Sequence, residues 1–222
     1  MTAALDLLIA GGEVLLPDGL HRVDLGLSGG RVAGLYAPGT APEAAERIDA
    51  AGLTALPGIV DIHFHVRAPA YPERGTVQSE TRAAAAGGVT TLFEMPISKP
   101  CCSTPAELAR RRDHFAENAV VDFALYAAPG DLTEASRDTM TELGCIAWKI
   151  FTTAPPPGRG DEFDGLAFPD EADQLRALQL LAPTGLPVVV HAESAPLLAH
   201  FAEAAAALDP ADAATHGASR PA

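Results

Sequence analysis

Two histidines stand two residues apart at the end of an apolar segment. His63 and His65 lie near the end of residues 56–66, and Arg67 follows two positions later. Because successive side chains of a β-strand alternate between its faces, His63 and His65 are expected on one face, which Arg67 would share if the strand continues that far. The opposite face would then be apolar and consist of Ile62, Phe64 and Val66. Two imidazoles about 7 Å apart along one strand can reach a common metal ion, so the spacing predicts a metal site.

A single lysine interrupts a second apolar segment. Lys149 lies within residues 145–151, whose other members are Cys, Ile, Ala, Trp, Ile and Phe. An unpaired ammonium in such surroundings is unfavourable, because burial removes its hydration. Two interpretations are open. Either Lys149 pairs with a carboxylate such as Asp122 or Glu94, or it loses its charge through a lowered pKa or a chemical modification.

A third apolar segment also ends in a polar residue, since three valines precede His191. His63, His65, Lys149 and His191 would therefore all lie at or near the carboxyl ends of predicted strands. These ends converge when a parallel sheet curls into a barrel. The sequence thus predicts one site that is assembled from several strands.

The elements that must position these residues alternate in type after Gly52. Strands are expected at residues 56–66, 89–94, 120–126, 145–151 and 187–191, and helices at residues 76–86, 104–117, 132–143, 170–181 and 195–207. Five successive strand–helix units predict an α/β fold with a parallel sheet and right-handed crossovers. An open doubly wound sheet and a (β/α)8 TIM-type barrel both have this pattern. Polar residues at the strand ends favour the barrel, because barrel enzymes place their chemistry there.

The first residues have a different pattern. Residues 5–10, 13–16, 23–27 and 31–35 are predicted to form short strands separated by glycine-containing turns. We therefore expect an N-terminal β-sandwich portion at residues 1–52 and the first part of a barrel at residues 53–222. A complete barrel has eight units and roughly 250 residues. We accordingly expect the sequence to be the N-terminal portion of a longer protein and to be inactive by itself.

The composition of the chain limits which binding partners and which cellular compartment are expected. The 222 residues carry a formal net charge of −14 at pH 7, which argues against nucleic acid and against an anionic membrane as partners. No apolar stretch approaches the length of a membrane span, and the first residues lack the basic region of a signal peptide. The three cysteines, two of them adjacent, form a poor disulfide framework. We expect a cytoplasmic protein.

Several ordered motifs together resemble those of one known family. They are Pro57-Gly58 before the two histidines, Gly87-Gly88-Val89-Thr90-Thr91 leading to Met95-Pro96, Lys149, His191-Ala192-Glu193 and Ser219-Arg220-Pro221. With these motifs the chain resembles the cyclic amidohydrolases of the dihydroorotase, allantoinase and hydantoinase group, within the metal-dependent amidohydrolase superfamily. Each motif alone is weak, and their order along most of the chain makes the resemblance specific.

The resemblance implies a role for each candidate residue. His63 and His65 would bind the more buried of two divalent metal ions, usually zinc, and His191 would bind the second. Lys149, the catalytic residue in this scheme, would be carbamylated by carbon dioxide and would bridge the two ions. A metal-bound hydroxide would then open a cyclic amide or ureide ring by C–N cleavage. The family also uses a further metal-binding His and a proton-shuttling Asp, for which this sequence offers no candidate.

The sequence gives mixed signals about which cyclic amide or ureide is the substrate. The resemblance implies substrate-binding roles for Arg67, which matches a carboxylate-binding arginine of dihydroorotases, and for Ser98, which follows Met-Pro in a pattern nearer to allantoinases. Residues 152–169, rich in Pro and Gly, are expected to form a mobile loop over the site, and they lack the Tyr of hydantoinases. We therefore expect an allantoinase- or dihydroorotase-like enzyme that acts on a small cyclic amide.

Three alternatives remain. The chain could have hydantoinase or dihydropyrimidinase-type activity, or it could be a non-catalytic homologue whose barrel serves assembly. An open-sheet nucleotide-binding domain is a weaker alternative, because no glycine-rich phosphate-binding motif follows a predicted strand. A homo-oligomer is expected for the full-length protein.

Overall fold

A computed structural model describes residues 5–220 and divides the chain into two compact units. One unit extends to Gly58, and the other begins at Ile59. Residues 54–55 pair with a strand of the first unit, so the first unit continues a few residues beyond the expected boundary at residue 52.

The first unit contains seven strands in two sheets. They are β1 (Leu5–Ala10), β2 (Glu13–Leu16), β3 (Gly19–His21), β4 (Asp24–Ser28), β5 (Arg31–Tyr36), β6 (Ala44–Asp49) and β7 (Thr54–Ala55). One sheet has the order β5-β4-β1-β6 and the other the order β3-β2-β7. The carboxylate of buried Asp24 accepts hydrogen bonds from the backbone N–H groups of Gly11 and Gly39, and it thereby ties two turns together.

The second unit contains all five expected strand–helix units. Its strands are β8 (Ile59–Phe64), β9 (Val89–Glu94), β10 (Asp122–Ala127), β11 (Ala147–Phe151) and β12 (Val188–His191). Its helices are α1 (Val77–Ala86), α2 (Pro105–Asn118), α3 (Glu134–Glu142), α4 (Glu171–Leu181), α5 (Ala195–Ala205) and the unpredicted α6 (Ala213–Ser219). Among residues 5–220, no helix combines the length and the apolar character that crossing a bilayer requires.

The strand order decides between the two architectures that the sequence left open. The five strands lie in the order β12-β11-β10-β9-β8, and each neighbouring pair is parallel. A doubly wound sheet reverses its strand order at a switch point, whereas the strands of a barrel follow one another in sequence. The prediction of a partial (β/α)8 barrel is therefore confirmed.

Strand alternation separates two layers around this sheet. On one face, strand residues pack with helix residues in the main core, which includes Leu92, Leu125, Trp148, Val77, Phe115 and Met140. Helices α1 to α4 are each started by a side chain that accepts hydrogen bonds from the first turn, namely Thr76, Thr104, Thr133 and Asp170. The residues that alternate with the core residues, Lys149 among them, lie on the other face of the sheet.

The segment between β11 and α4 is tied to the core over its second half. Phe163, Leu166 and Phe168 are buried, and the first two pack against Ile97 and Ala128. The backbone of Phe151 exchanges hydrogen bonds with residues 166 and 168, at 2.9 and 2.8 Å. The expectation of a mobile loop is thus corrected for residues 160–168, because their apolar side chains supply an anchor.

Candidate functional site

The two histidines of the first motif lie side by side where β8 ends. Their ring centroids are 5.2 Å apart, as expected for residues i and i+2 of an extended chain. The apolar face opposite them is only partly buried. Phe64 and Val66 pack in the main core, but Ile62 is 60% exposed, because within the described residues β8 pairs with β9 alone.

Both imidazoles are held in the form that binds metal. Desolvation, reinforced by the neighbouring basic groups of His63, Arg67 and Lys149, lowers the pKa of His65 to about 4. Burial also lowers the pKa of His63, with Lys149 and His191 acting in the same direction. At neutral pH both rings are therefore uncharged, and a neutral imidazole has a nitrogen lone pair free for a metal ion.

Lys149 is buried without the ion pair that would explain its position. It is 2% exposed, and its flanking residues Trp148 and Ile150 are buried on the opposite face of β11. Glu94 pairs with Arg111 instead, Asp122 is exposed, and no carboxylate of residues 5–220 forms an ion pair with this lysine. Burial lowers the pKa of Lys149, which favours its neutral, nucleophilic amine.

His191 lies on β12, the strand that pairs with the strand of this lysine. Parallel pairing places Lys149 next to Val189 and Phe151 next to His191, and the rings of Phe151 and His191 stack at 4.3 Å. The Nε2 atom of His191 lies 2.6 Å from the carboxylate of Glu193. A carboxylate in this position orients a metal-binding imidazole and leaves the other ring nitrogen, Nδ1, for a ligand.

The structure brings the four predicted ligands to one end of the sheet without closing them into a site. Within the described part of the chain, no three His, Cys, Asp or Glu side chains converge closely enough to hold a metal ion. The residue types still fit zinc, because two neutral imidazoles lie near a buried amine that lacks a carboxylate partner. The binuclear metal centre stays a prediction.

Arg67 reaches the site by a turn rather than by strand alternation. The chain leaves β8 after Phe64, and Arg67 adopts a left-handed conformation with φ of 59°. Its Nη1 atom donates to the carboxylate of Glu162 at 3.3 Å. Ser98 is fully buried, and its hydroxyl donates to the Arg67 carbonyl at 3.0 Å. Ser98 therefore supports Arg67, and its hydroxyl hydrogen is used within the protein.

Sequence reasoning missed Glu162, which comes from the anchored segment after β11. Arg159 binds the Glu162 carboxylate with two hydrogen bonds, of 2.7 and 2.5 Å. These bonds, helped by nearby Tyr71 and Arg67, lower the pKa of Glu162 to about 2. The spacing of Arg159 and Glu162 was a local signal for this pair, but their approach to Arg67 was not visible in the sequence.

A second missed feature is the buried pair of Glu94 and Arg111. The Arg111 Nη1 donates to Glu94 at 3.3 Å, and burial raises the pKa of Glu94 to about 7. A signal for this pair existed in the sequence. Arg111 falls three residues after Leu108 and four before Phe115, both buried, so helical periodicity places it on the apolar face of α2.

Comparisons with known proteins agree with the fold and the motifs. The profile of the family described as Dihydro-orotase-like matches residues 52–147. The L-hydantoinase of Paenarthrobacter aurescens is 30% identical over 219 residues, which are 97% of this chain and 46% of that protein. The allantoinase of Desulfitobacterium hafniense, strain Y51, is 33% identical over 202 residues, which are 89% of this chain and 43% of that protein.

Solved structures give the same result. The L-hydantoinase (dihydropyrimidinase) from Arthrobacter aurescens superposes with a TM-score of 0.85 at 28% identity, covering 98% of this chain and 47% of that one. A D-hydantoinase from Bacillus sp. AR9 superposes with a TM-score of 0.74 at 25% identity, covering 97% and 46%. The chain belongs to the cyclic amidohydrolase family, as its motifs predicted. It spans about half the length of the relatives that it matches.

Proposed function

We propose that the chain carries the metal-binding part of an active site that hydrolyses a small cyclic amide or ureide. In this proposal His63 and His65 would hold one divalent ion, His191 would hold a second, and the carbamate of Lys149 would supply oxygen ligands. The observation that supports it most is Lys149, a buried lysine without an ion-pair partner among residues 5–220. Zinc ions held in this way would supply an activated water molecule and polarise a ring carbonyl.

The residues of the chain prepare such a site in two ways. The lowered pKa values of His63 and His65 keep their lone pairs available at neutral pH. The lowered pKa of Lys149 favours its neutral form, which would attack carbon dioxide through Nζ, forming the N–C bond while one N–H proton leaves to solvent. The product is an anionic carbamate, which replaces a buried cation by a ligand suited to divalent metals.

Arg67 is the residue proposed to contact the substrate, and Ser98 supports it. Glu162 is held by Arg159 through two short hydrogen bonds and by Arg67 through one longer bond. The three groups together carry a net charge of +1, so Arg67 keeps the ability to bind a carboxylate. This favours an acidic ring such as dihydroorotate. The similarity to an L-hydantoinase and to an allantoinase favours an uncharged ring instead, and the binding of both ring types to Arg67→Ala distinguishes the two possibilities.

Carbamylation can be tested directly, because the chain has only two lysines, Lys99 and Lys149. We expect the purified chain to take up zinc in a bicarbonate-dependent manner and to show one carbamate signal in the ¹³C NMR spectrum with labelled bicarbonate. Lys149→Ala should remove the signal and the bicarbonate-dependent zinc. Lys99→Ala is the matched control, because Lys99 is exposed and pairs with Asp161.

Two results would contradict the proposal. Zinc uptake that is unchanged in Lys149→Ala would leave the lysine without a metal-bridging role. A chain that binds no zinc at all would favour the alternative of a non-catalytic homologue.

A further inference from the structure

A buried carboxylate lies directly behind the segment that joins the second histidine to Arg67. Glu94 is the last residue of β9 and is 1% exposed. Its carboxylate accepts hydrogen bonds from the backbone N–H of Val66, at 3.2 and 3.0 Å, and from that of Arg67, at 3.2 Å. One side chain thus holds two successive peptide groups immediately after His65.

The segment needs such support because its backbone is strained. A φ of 59° at Arg67 lies in the left-handed region, which residues other than glycine rarely occupy. Strained backbone of this kind persists only where the surroundings determine it from several sides. Here Glu94 holds the N–H of Arg67, and the hydroxyl of Ser98 holds its carbonyl group.

Helix α2 completes the arrangement by compensating the buried charge. Arg111 is also buried, and its Nη1 lies 3.3 Å from Glu94. A buried carboxylate without a cationic partner would be strongly unfavourable. Glu94 already accepts hydrogen bonds from three N–H groups. Its oxygen atoms therefore make contacts within the protein and do not bind a ligand.

We propose that Glu94 is a positioning residue of the candidate site. It fixes the backbone of residues 66–67 and so determines where His65 and Arg67 present their side chains. This inference rests on the proposed metal-binding function. It assigns Glu94 an effect on the site through the backbone, without contact to metal or substrate.

The test is the variant Glu94→Gln, in which an amide group replaces one of the two accepting oxygens. We expect the affinity for Zn²⁺, measured by competition with a chromophoric chelator in bicarbonate buffer, to fall about tenfold or more, as for other groups that orient metal ligands. We also expect upfield shifts of the Val66 and Arg67 amide protons in ¹H–¹⁵N spectra, because each loses a carboxylate acceptor.

A matched control separates positioning from general destabilisation. Thr81 is fully buried, and its hydroxyl bonds to Val77 and Val120, at 2.7 and 3.2 Å. Thr81→Val should lower the melting temperature without changing zinc affinity. Ser98→Ala provides a milder variant of the same turn and should weaken zinc binding a few-fold, which decides the question if Glu94→Gln does not fold.

The outcomes distinguish this inference from the proposed function. If the wild-type chain binds zinc and Glu94→Gln binds it equally well, the positioning role is wrong and the proposed function stands. Equal loss of affinity in Thr81→Val would also overturn the positioning role. If the wild-type chain binds no zinc, the proposed function fails, and the amide resonances alone decide whether Glu94 holds the backbone.

Discussion

The electrostatics around Arg67 depend on residues that are distant in sequence. Glu162 lies 95 positions further along the chain, yet its carboxylate contacts the guanidinium. Arg159 holds the same carboxylate more tightly, through two shorter bonds. Because Arg159 makes the shorter hydrogen bonds to Glu162, Arg67 is oriented by one longer bond, and among residues 5–220 its other side-chain N–H groups form no hydrogen bond.

Glu162 should make the stability of the protein depend on pH. Its pKa is about 2 in the folded chain, against an ordinary value of 4.5. The carboxylate therefore contributes stability above pH 4.5, and this contribution is lost as the pH falls from 4.5 towards 2. Since Arg159 is 34% exposed and solvent screens the pair, we expect about 1–2 kcal/mol rather than the full value of the shift.

Urea unfolding followed by fluorescence of the single, buried tryptophan, Trp148, measures this effect. Glu162→Gln should be less stable than wild type at pH 7, and the difference should shrink as the pH is lowered from 4.5 towards 2, because the wild type loses the contribution of its carboxylate over that range. Exposed Glu142→Gln serves as the control. A difference that is constant with pH would contradict the assigned pKa of Glu162.

Arg67 should discriminate between charged and uncharged rings. We expect Arg67→Ala to weaken the binding of dihydroorotate to the zinc-loaded chain by tenfold or more, because a charge-assisted hydrogen bond is worth about 1.5–3 kcal/mol. Binding of hydantoin should change little. Isothermal titration with both compounds checks this, with exposed Arg74→Ala as the control. Equal losses for both rings would make Arg67 a structural residue.

At the scale of elements, local patterns predicted the barrel strands and helices well. Strands β9 and β12 and helices α1, α2 and α4 lie within about two residues of their expected bounds, because each has a clear apolar periodicity and a capping residue or turn at its start. Strand β6 was missed. Five of its six residues, in the pattern AAERID, are either small or charged, and the strand pairs with the distant β1.

The parts of the site that were missed depend on tertiary packing. The sequence placed His63, Lys149 and His191 at strand ends, since apolar runs that end in a polar residue are a local signal. It did not predict the hydrogen bonds of Glu94 to the backbone of residues 66–67, nor the hydrogen bond between Glu162 and Arg67. Those contacts are made between residues 27 to 95 positions apart, and they depend on the packing of α2 and of the segment after β11.

That segment should be sensitive to substitution at Gly165. Its φ is 69°, and a Cβ added there would lie 2.6 Å from the Gly130 Cα and 2.9 Å from the Ser103 Cβ. Because both neighbours are close to the backbone, the segment must shift. We expect Gly165→Ala to lower the free energy of unfolding by about 2 kcal/mol or more.

Gly158 is the matched control for this prediction. It also has a positive φ, of 76°, but an added Cβ would meet no atom within 4 Å. Gly158→Ala should therefore cost only the conformational term of about 1 kcal/mol. Urea unfolding measures both variants, and equal losses would show that close packing at Gly165 does not anchor the segment.

At the scale of the whole molecule, all the candidate site residues belong to the unit that begins at Ile59. The sheet of that unit is open at β8 and β12 within the described residues. The expected homo-oligomer and the cytoplasmic location stay predictions. The open edge, however, has a consequence for the behaviour of the chain in solution.

Among residues 5–220, strand β8 has one unpaired edge, and it also carries exposed apolar side chains. Ile59, Val60 and Ile62 are each more than half exposed. Free strand edges and contiguous apolar patches both promote association between copies of a chain.

We therefore expect the weight-average mass of the 222-residue chain, measured by sedimentation equilibrium, to rise with protein concentration. Ile62→Lys should reduce this rise, because a lysine on an edge strand opposes pairing. Leu197→Lys adds the same charge at an exposed position of α5 and should leave the association unchanged. A wild-type chain that stays monomeric at every concentration would show that the β8 edge does not drive association.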